Sequence, residues 1–313
     1  MISLEHIRGI CSGRIAIGEP LARLTTFRVG GAADLYVEPM RTDEVLALIT
    51  YFRRNDIRYM VLGNGSNVLI HDDGYAGAVI NLEAGFSGVS IEEGIVTAGA
   101  GARLSAFVDF CIVHGYAGTD PLAGIPGTLG GGLIMNAGAY GAEISDHLLD
   151  VTVVRGDDVV TLRKDECDFR YRHSGLRDAV VLSARFALPE GDTEDMKKRR
   201  KELLLTRNAA QPTNLPNAGS IFKNPEGQYA ARLIEECGLK GYTFGGATVS
   251  TLHANFIVGS PAATAADILA VINHVRQTVH RHKGVALELE VLLVGFGSDA
   301  IAPLADPRAE VAR

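Results

Sequence analysis

The chain has 313 residues, 47% of them hydrophobic and 21% charged, and a formal net charge of −7. That length allows two or three domains with real cores, and the acidic balance argues against a nucleic-acid partner. Four scattered cysteines without a C-x-x-C pair argue against zinc and a disulfide framework, while the lack of a signal-peptide pattern and of any apolar run near the ~18 residues of a membrane span points to a cytoplasmic protein with no membrane partner.

Residues 42–55 read as a helix, with Thr42 as its cap, Asp43 and Glu44 at its positive end, and Val45, Leu48, Ile49 and Phe52 on one face. A strand over 57–62 runs into the turn Gly63-Asn64-Gly65-Ser66-Asn67. Short β segments are expected over 78–82 and 89–98. Leu104, Phe107, Val108, Cys111 and Ile112 mark an amphipathic helix stopped by Gly115. A glycine-rich segment follows, from Gly124 to Gly141. Residues 150–155, 158–162 and 179–187 return to β, the first two joined at Gly156-Asp157. Residues 192–206 form a charged helix whose basic run, Lys197 to Lys201, reads as a solvated face. Asn208 to Asn217 carries Pro212 and Pro216 and no period, as a domain junction would. Beyond it come a helix over 228–237, a strand over 254–258, a helix over 264–282 capped by Thr264 with Asp267, and a strand over 285–294. The tail from Ser298 reads as poorly ordered. Short strands with interspersed helices indicate an α+β fold rather than regular βαβ repeats.

The segment Gly124 to Gly141 has the composition of backbone that is packed, turns sharply and approaches a ligand closely. Loops of this kind present N–H groups to anions, and a pyrophosphate-bearing cofactor is the reading it supports; a buried glycine turn without ligand is the alternative. The 63–67 turn is not the dinucleotide fingerprint: Asn67-Val68 occupies the place of the third glycine and no helix follows, so a Rossmann domain is rejected. Asn64, Ser66 and Asn67 bind phosphate or hold the turn's own backbone. In Phe169-Arg170-Tyr171-Arg172-His173-Ser174, an arginine fork suits an anionic substrate group. Asn217 to Pro225 gathers Ser220, Lys223 and Asn224 just after the proposed junction, where ligands are commonly bound. In Leu287-Glu288-Leu289-Glu290-Val291, strand alternation puts both glutamates on one face. His71-Asp72-Asp73 is a polar turn, and no metal site is expected.

Taken in order, these motifs resemble the UDP-N-acetylenolpyruvoylglucosamine reductases. The resemblance covers Thr25-Thr26-Phe27-Arg28-Val29-Gly30-Gly31, Leu62 to Asn67, Gly124 to Gly141, Tyr171 to Ser174, Gly219 to Pro225, His253-Ala254-Asn255-Phe256 and Leu287 to Val291, nearly the whole chain. It implies a vanillyl-alcohol-oxidase-like FAD-binding domain over 1–207, made of two subdomains at roughly 1–75 and 76–207. A smaller α/β substrate-binding domain would span 208–284, a closing strand over 285–297 would carry Glu290, and 298–313 would be the tail. Non-covalent FAD would be bound by Gly63, Asn64, Gly65, Ser66 and Asn67, by Gly124, Ile125, Pro126, Gly127, Gly130 and Gly131, and by Asn136, Ala137 and Gly138. Tyr171, Lys223, Asn224 and His253 would contact a small sugar-nucleotide substrate, with no obligate protein partner.

The implied reaction uses NADPH to reduce FAD and then reduces an enolpyruvyl ether. Hydride delivery to the vinyl carbon leaves an enolate, which Arg172 and a protonated Glu290 would stabilise and Ser220 would protonate at C2. Protonation of Glu290 requires burial or a neighbouring negative charge, and a serine is a poor acid that works only against a strongly basic enolate. Glu290 is preferred to Glu288 because the family motif sets the carboxylate immediately before the valine. The short stretch between Arg172 and Ser220 resembles the subclass without a tyrosine-bearing lid, and no lid tyrosine is nominated. Gly259 stands where the family often has Asn. A flavin oxidase on the same scaffold, separable by oxygen uptake, and a catalytically silent nucleotide-binding module are the competing readings.

Overall fold

The computed structural model describes residues 2–304. Two compact units emerge. One holds the chain up to Glu19, Ala33–Asn64 and Ala76–Arg207; the other holds Pro20–Ala32, Gly65–Tyr75 and the chain from Asn208 onward.

The first unit is built on two sheets. In one, Ile15–Pro20, Ala32–Val37, Tyr75–Ile80 and Tyr59–Val61 lie in that order, the last two parallel. Helix Thr42–Arg54 buries Val45, Leu48, Ile49 and Phe52 as its periodicity demands. It begins at Thr42 itself, with Arg41 in the cap position and no side-chain cap bond, so Thr42 is not the cap. The second sheet is antiparallel and runs Asp158–Arg163, Leu148–Arg155, Val180–Phe186, Ile95–Gly99, Val89–Glu92. The expected 89–98 segment is therefore two strands, broken at Glu93 and Gly94, both at positive φ. Helices Leu104–Val113 and Leu129–Met135 belong to the same unit, whose core includes Val96, Phe107, Leu133, Val151 and Phe186.

Strands Ile15–Pro20 and Ala32–Val37 and the helix inside the glycine segment had no clear signal in the sequence. The charged helix runs further than expected, Thr193–Ala210. Its basic run is not simply a solvated face: Arg199 Nε lies 3.0 Å from the buried Asp120 carboxylate, and Arg200 Nε 2.6 Å from Asp109.

The second unit carries a three-stranded antiparallel sheet, Thr243–Phe244, Ala247–Val249 and Ile257–Gly259. Helix Ala265–Lys283 packs against it, burying Ile268, Val271, Ile272, Val275 and Val279, and helix Ala230–Glu236 packs on that helix. Thr264 and Asp267 form the expected capping box. Asp72 adds to it from the distant 71–73 turn, its two oxygens accepting from Ala265 N at 2.8 Å and Ala266 N at 3.0 Å.

Two expectations for the C-terminal part are corrected. Only Leu292–Val294 is strand, paired in parallel with Val68–Ile70; the 285–291 stretch makes a single bridge, Leu289 with Phe222. The tail is tied down as far as residue 302: Asn273 Nδ2 donates to Ala300 O, Asn273 Oδ1 accepts from Ala302 N, and Arg276 donates to Ala302 O. The rest of the expected tail, 305–313, lies outside the described residues.

Candidate active site

In the first unit the two glycine turns meet. A Cβ added at Gly63 would stand 2.3 Å from Thr128 Oγ1, so only glycine lets the end of the 59–61 strand lie against the glycine segment. Asn64 Oδ1 accepts from Arg103 Nη1 at 2.7 Å, and Arg103 also holds Glu83. Gly124 and Gly127 both have positive φ. Leu129 N and Gly130 N then bond to Ala102 O and Ala100 O.

Gly130 is a packing residue, since its Cβ would touch Ala100 Cβ at 3.0 Å. Gly131 is exposed, and nothing lies nearer to its Cβ position than Thr128 Oγ1 at 3.6 Å, which leaves backbone that a ligand can approach.

Asn136 ends helix Leu129–Met135 in the left-handed conformation, fully buried. Its Nδ2 donates to Glu143 Oε2 at 2.6 Å and to Arg170 O at 3.1 Å, while its Oδ1 is buried without a partner. An unsatisfied buried acceptor is costly unless a ligand donor fills it. Left-handed glycines, open backbone at Gly131 and a waiting acceptor suit a large nucleotide cofactor with ring N–H groups. The next residues, Ala137 and Gly138, are spoken for on the protein side: Ala137 O accepts from Ile144 N, and Gly138 O accepts from Arg172 Nη2 at 3.0 Å.

Arg172 sits in a tight loop. Arg170 and His173 exchange both backbone hydrogen bonds, and Arg172 takes a left-handed φ of 53°. Ser174 Oγ donates to Ile134 O at 2.8 Å, tying the loop to the glycine helix. The Arg172 guanidinium lies 5.0 Å from the Tyr171 ring centroid, so the exposed tyrosine supports the cation. Arg170 beside Asp168 holds that carboxyl below its ordinary range, with His173 adding to the effect. Arg170 and His173 thus belong to a local ion cluster.

One residue was missed by sequence reasoning. Arg207 is half-buried, its Nε is buried without a hydrogen-bond partner, and burial pushes its pKa down. A Cβ at Gly124 would lie 3.0 Å from its Cδ. A desolvated guanidinium without an acid beside it attracts an anionic ligand. Nothing local distinguishes this arginine from its charged helical neighbours, so the sequence held no signal for it.

In the second unit, Gly65 has positive φ and its Cβ would collide with Leu24 O at 2.2 Å. Gly65 O accepts from Thr26 N, and Thr26 Oγ1 donates to Asn217 O at 2.6 Å. Asn217 Oδ1 in turn accepts from Gly219 N, one residue before Ser220. Ser66 is half-buried in the same turn. Asn67 turns toward the C-terminal segment: its Nδ2 donates to Glu290 O at 3.1 Å, and its own carbonyl accepts from Leu292 N at 3.0 Å.

The segments bearing Ser220 and Glu290 lie side by side. Glu290 N donates to Ile221 O at 2.8 Å, and Lys223 N to Glu288 O at 2.9 Å. Lys223 Nζ is 3.5 Å from Glu288 Oε2, and Glu288 is exposed. The two glutamates are thereby distinguished: Glu288 pairs with Lys223, while the half-buried Glu290 follows Leu289, whose backbone bridges to buried Phe222. Asn224 Oδ1 accepts from Ala230 N at 3.0 Å, at the start of the next helix. His253 Nδ1 accepts from Asn255 N at 3.3 Å; burial, then Lys240, hold its pKa below the ordinary value and keep that nitrogen an acceptor. Arg172 belongs to the first unit, and Ser220, Glu290, Lys223, Asn224 and His253 to the second. No cluster of metal-ligating side chains occurs among the described residues.

Comparison with known proteins bears on both parts. Residues 211–294 match the model for "UDP-N-acetylenolpyruvoylglucosamine reductase, C-terminal domain", and residues 33–162 match that for "FAD binding domain". The reductase of that name from Caldanaerobacter subterraneus is 41% identical over 286 residues, 90% of this chain and 94% of the relative. That from Chloroherpeton thalassium is 41% identical over 305 residues, 95% and 98% of the two chains. The crystal structure of UDP-N-acetylenolpyruvylglucosamine reductase from Thermus caldophilus superposes with a TM-score of 0.78 at 34% identity, covering 90% of this chain and 98% of that one. The α+β fold with an FAD-binding domain, expected from the sequence, stands. With identities this high over nearly the full length, the chain belongs to the UDP-N-acetylenolpyruvoylglucosamine reductase family, oxidoreductases that use FAD and NADPH.

Proposed function

We propose that this protein reduces UDP-N-acetylglucosamine enolpyruvate to UDP-N-acetylmuramate with NADPH, in peptidoglycan precursor synthesis in the cytoplasm. The observation that carries the reading is the pairing of the Ser220 and Glu290 segments through Ile221 O, which sets a hydroxyl and a carboxyl on adjoining backbone. When bound, FAD would supply the redox chemistry, hydride transfer between NADPH and the vinyl carbon of the substrate. The residues assigned to hold it are the 63–67 turn, Gly124 to Gly127, Gly130, Gly131 and Asn136 to Gly138; of these, exposed Gly131 and the unpartnered Asn136 Oδ1 are the strongest support. No helix of the described residues is long and apolar enough to cross a membrane.

The protein's own part is electrostatic and protonic. Hydride addition leaves negative charge on C2 and its carboxylate, and fixed charges aimed at developing charge lower a barrier strongly. Arg172 offers a guanidinium in a loop clamped by Ser174, with Tyr171 against it. Glu290, in its protonated form, donates a hydrogen bond to the same enolate. Ser220 delivers the proton that completes C2, and solvent replaces it. Lys223, Asn224 and His253 contact the sugar nucleotide. In domain terms, residues 1–207 serve FAD, 208–284 serve the substrate, and the extended chain beyond carries Glu290. The test is NADPH consumption by the flavin-loaded protein without oxygen. Consumption that depends on the enolpyruvyl sugar nucleotide supports the assignment. A flavin reduced by NADPH and never reoxidised by that compound overturns it.

A further inference from the structure

The chain around Ser220 is not held by a regular strand ladder. Besides its backbone bonds to the 288–290 stretch, it is held by one buried amide. Asn255 is 4% exposed. Its Oδ1 accepts from Phe222 N at 3.0 Å and its Nδ2 donates to Phe222 O at 2.8 Å, so one side chain satisfies both backbone groups of Phe222 as a neighbouring strand would. Its own carbonyl accepts from Ile221 N at 2.9 Å. Three hydrogen bonds thus fix the two residues that follow Ser220.

The restraint extends to Glu290. Ile221, held through its N–H by Asn255, offers its carbonyl to Glu290 N at 2.8 Å. From the opposite side Asn67 Nδ2 grips Glu290 O. Asn255 itself is fixed by the bond from its N–H to His253 Nδ1. We propose that Asn255 is a positioning residue for proton delivery, acting through the Phe222–Ile221 backbone to set the Ser220 hydroxyl and, one link further, the Glu290 carboxyl. The inference rests on the assignment of Ser220 as the C2 proton donor. Asn255 does not touch substrate in this scheme; it fixes where the donor stands.

Proton transfer is steeply sensitive to donor placement, and a misplacement near 1 Å costs about 100-fold. In flavin-loaded Asn255→Ala, reoxidation of the reduced enzyme by the enolpyruvyl substrate is expected to slow by about that factor. Reduction by NADPH should keep its wild-type rate. The solvent deuterium isotope effect on reoxidation should rise, because protonation of C2 becomes more nearly rate-limiting. A residue that only supported the fold would leave the isotope effect unchanged and slow both half-reactions together, and that result overturns the inference. Asn255→Asp preserves the volume and the acceptor for Phe222 N but loses the donor to Phe222 O. It is measured in the same way where Asn255→Ala does not fold, and a wild-type reoxidation rate in it overturns the inference equally. Ser220→Ala run in parallel separates the two ideas. If it slows reoxidation selectively and the Asn255 variants do not, only the positioning role fails. If Ser220→Ala slows both half-reactions alike, the donor assignment fails and this inference falls with it.

Discussion

Replacing Gly63 by alanine tests whether the close approach of two glycine turns builds the cofactor cradle. The new Cβ would stand 2.3 Å from Thr128 Oγ1, 3.1 Å from Cγ2 and 3.2 Å from Cβ. Thr128 cannot move aside easily. It is 4% exposed, β-branched, and held between the Leu104 N to Gly127 O and Leu129 N to Ala102 O hydrogen bonds. Overpacking of this kind costs about 1–3 kcal/mol. In the free protein the loops can relieve it by parting, and bound FAD must then draw them together again. Spent wholly on binding, that cost weakens FAD affinity by about 5- to 150-fold. The assay is titration of apoprotein with FAD, read by quenching of flavin fluorescence, with thermal melting to follow any share of the strain spent on stability. Thr128→Ala removes Oγ1 and Cγ2, so the Gly63→Ala/Thr128→Ala double variant should recover most of the loss. Wild-type affinity and melting temperature in Gly63→Ala, or a double variant as weak as the single, would refute the reasoning.

Four other outcomes are expected. Ser220→Ala should lower the rate of flavin reoxidation by substrate by about 10²- to 10⁴-fold and leave reduction by NADPH untouched in stopped-flow traces; equal slowing of both steps contradicts its role as donor. Glu290→Gln retains a hydrogen-bond donor but not the acid, and it should slow the same half-reaction, so rates near wild type would remove Glu290 from the mechanism. Arg207→Met relieves a half-buried cation that has no acidic partner among the described residues, and it should raise the melting temperature of the free protein while raising KM for its anionic ligand; unchanged KM would leave Arg207 without a functional role. Burial holds His253 and His274 below the ordinary histidine value of 6.5, with Lys240 and Arg281 adding to the effect. The unfolded chain therefore takes up protons first on acidification, and stability should fall as pH drops through about 6.5 and level off once the folded groups protonate. Melting temperatures between pH 7.5 and 5, compared with a His253→Gln/His274→Gln variant, check this, and identical slopes in both proteins would contradict it.

What could be read from the residues was what depends on near neighbours. The capping box at Thr264 and Asp267 and the apolar stripe from Ile268 to Val279 are local patterns, and both appear in the fold. Helix Leu129–Met135 was illegible because Gly130, Gly131 and Gly132 are poor helix formers. It exists through packing, with Gly130 against Ala100 and Gly132 close to Ile144 and Leu104. Asp72 looked like part of a polar turn and is a cap for a helix nearly two hundred residues away. The alternation Leu287 to Val291 looked like strand, but its hydrogen-bond partners are scattered. Leu287 O accepts from Arg276 Nε at 3.1 Å, Glu290 N donates to Ile221 O, and Glu290 O accepts from Asn67. No window of sequence contains those partners together. The chemistry-bearing residue types of the second unit were nonetheless recognisable, because Ser220, Lys223, Glu288 and Glu290 lie within short motifs that the fold brings edge to edge.

Those scattered partners have a consequence for how the site is built. A buried backbone must be hydrogen-bonded, and a regular sheet is the simplest way to do it. A sheet also imposes its pleat, so successive side chains alternate between two faces with no choice at any position. Around Ser220 and Glu290 a few backbone bonds are supplemented by side chains, namely Asn255 on Phe222, Asn67 on Glu290 and Arg276 on Leu287. Each satisfies one residue's backbone without bringing another strand beside it. The 285–291 stretch thereby makes a single bridge, at Leu289 and Phe222, and becomes a strand only at Leu292, where it pairs with Val68. Side-chain partners of this kind satisfy the backbone locally and leave the neighbouring side chains free of the pleat. That is the geometry a site needs when a hydroxyl and a carboxyl from separate segments must serve one substrate. It also locates the fragility: each clamp is a single residue, so the loss of Asn255 or Asn67 should disturb proton chemistry well before it disturbs the fold.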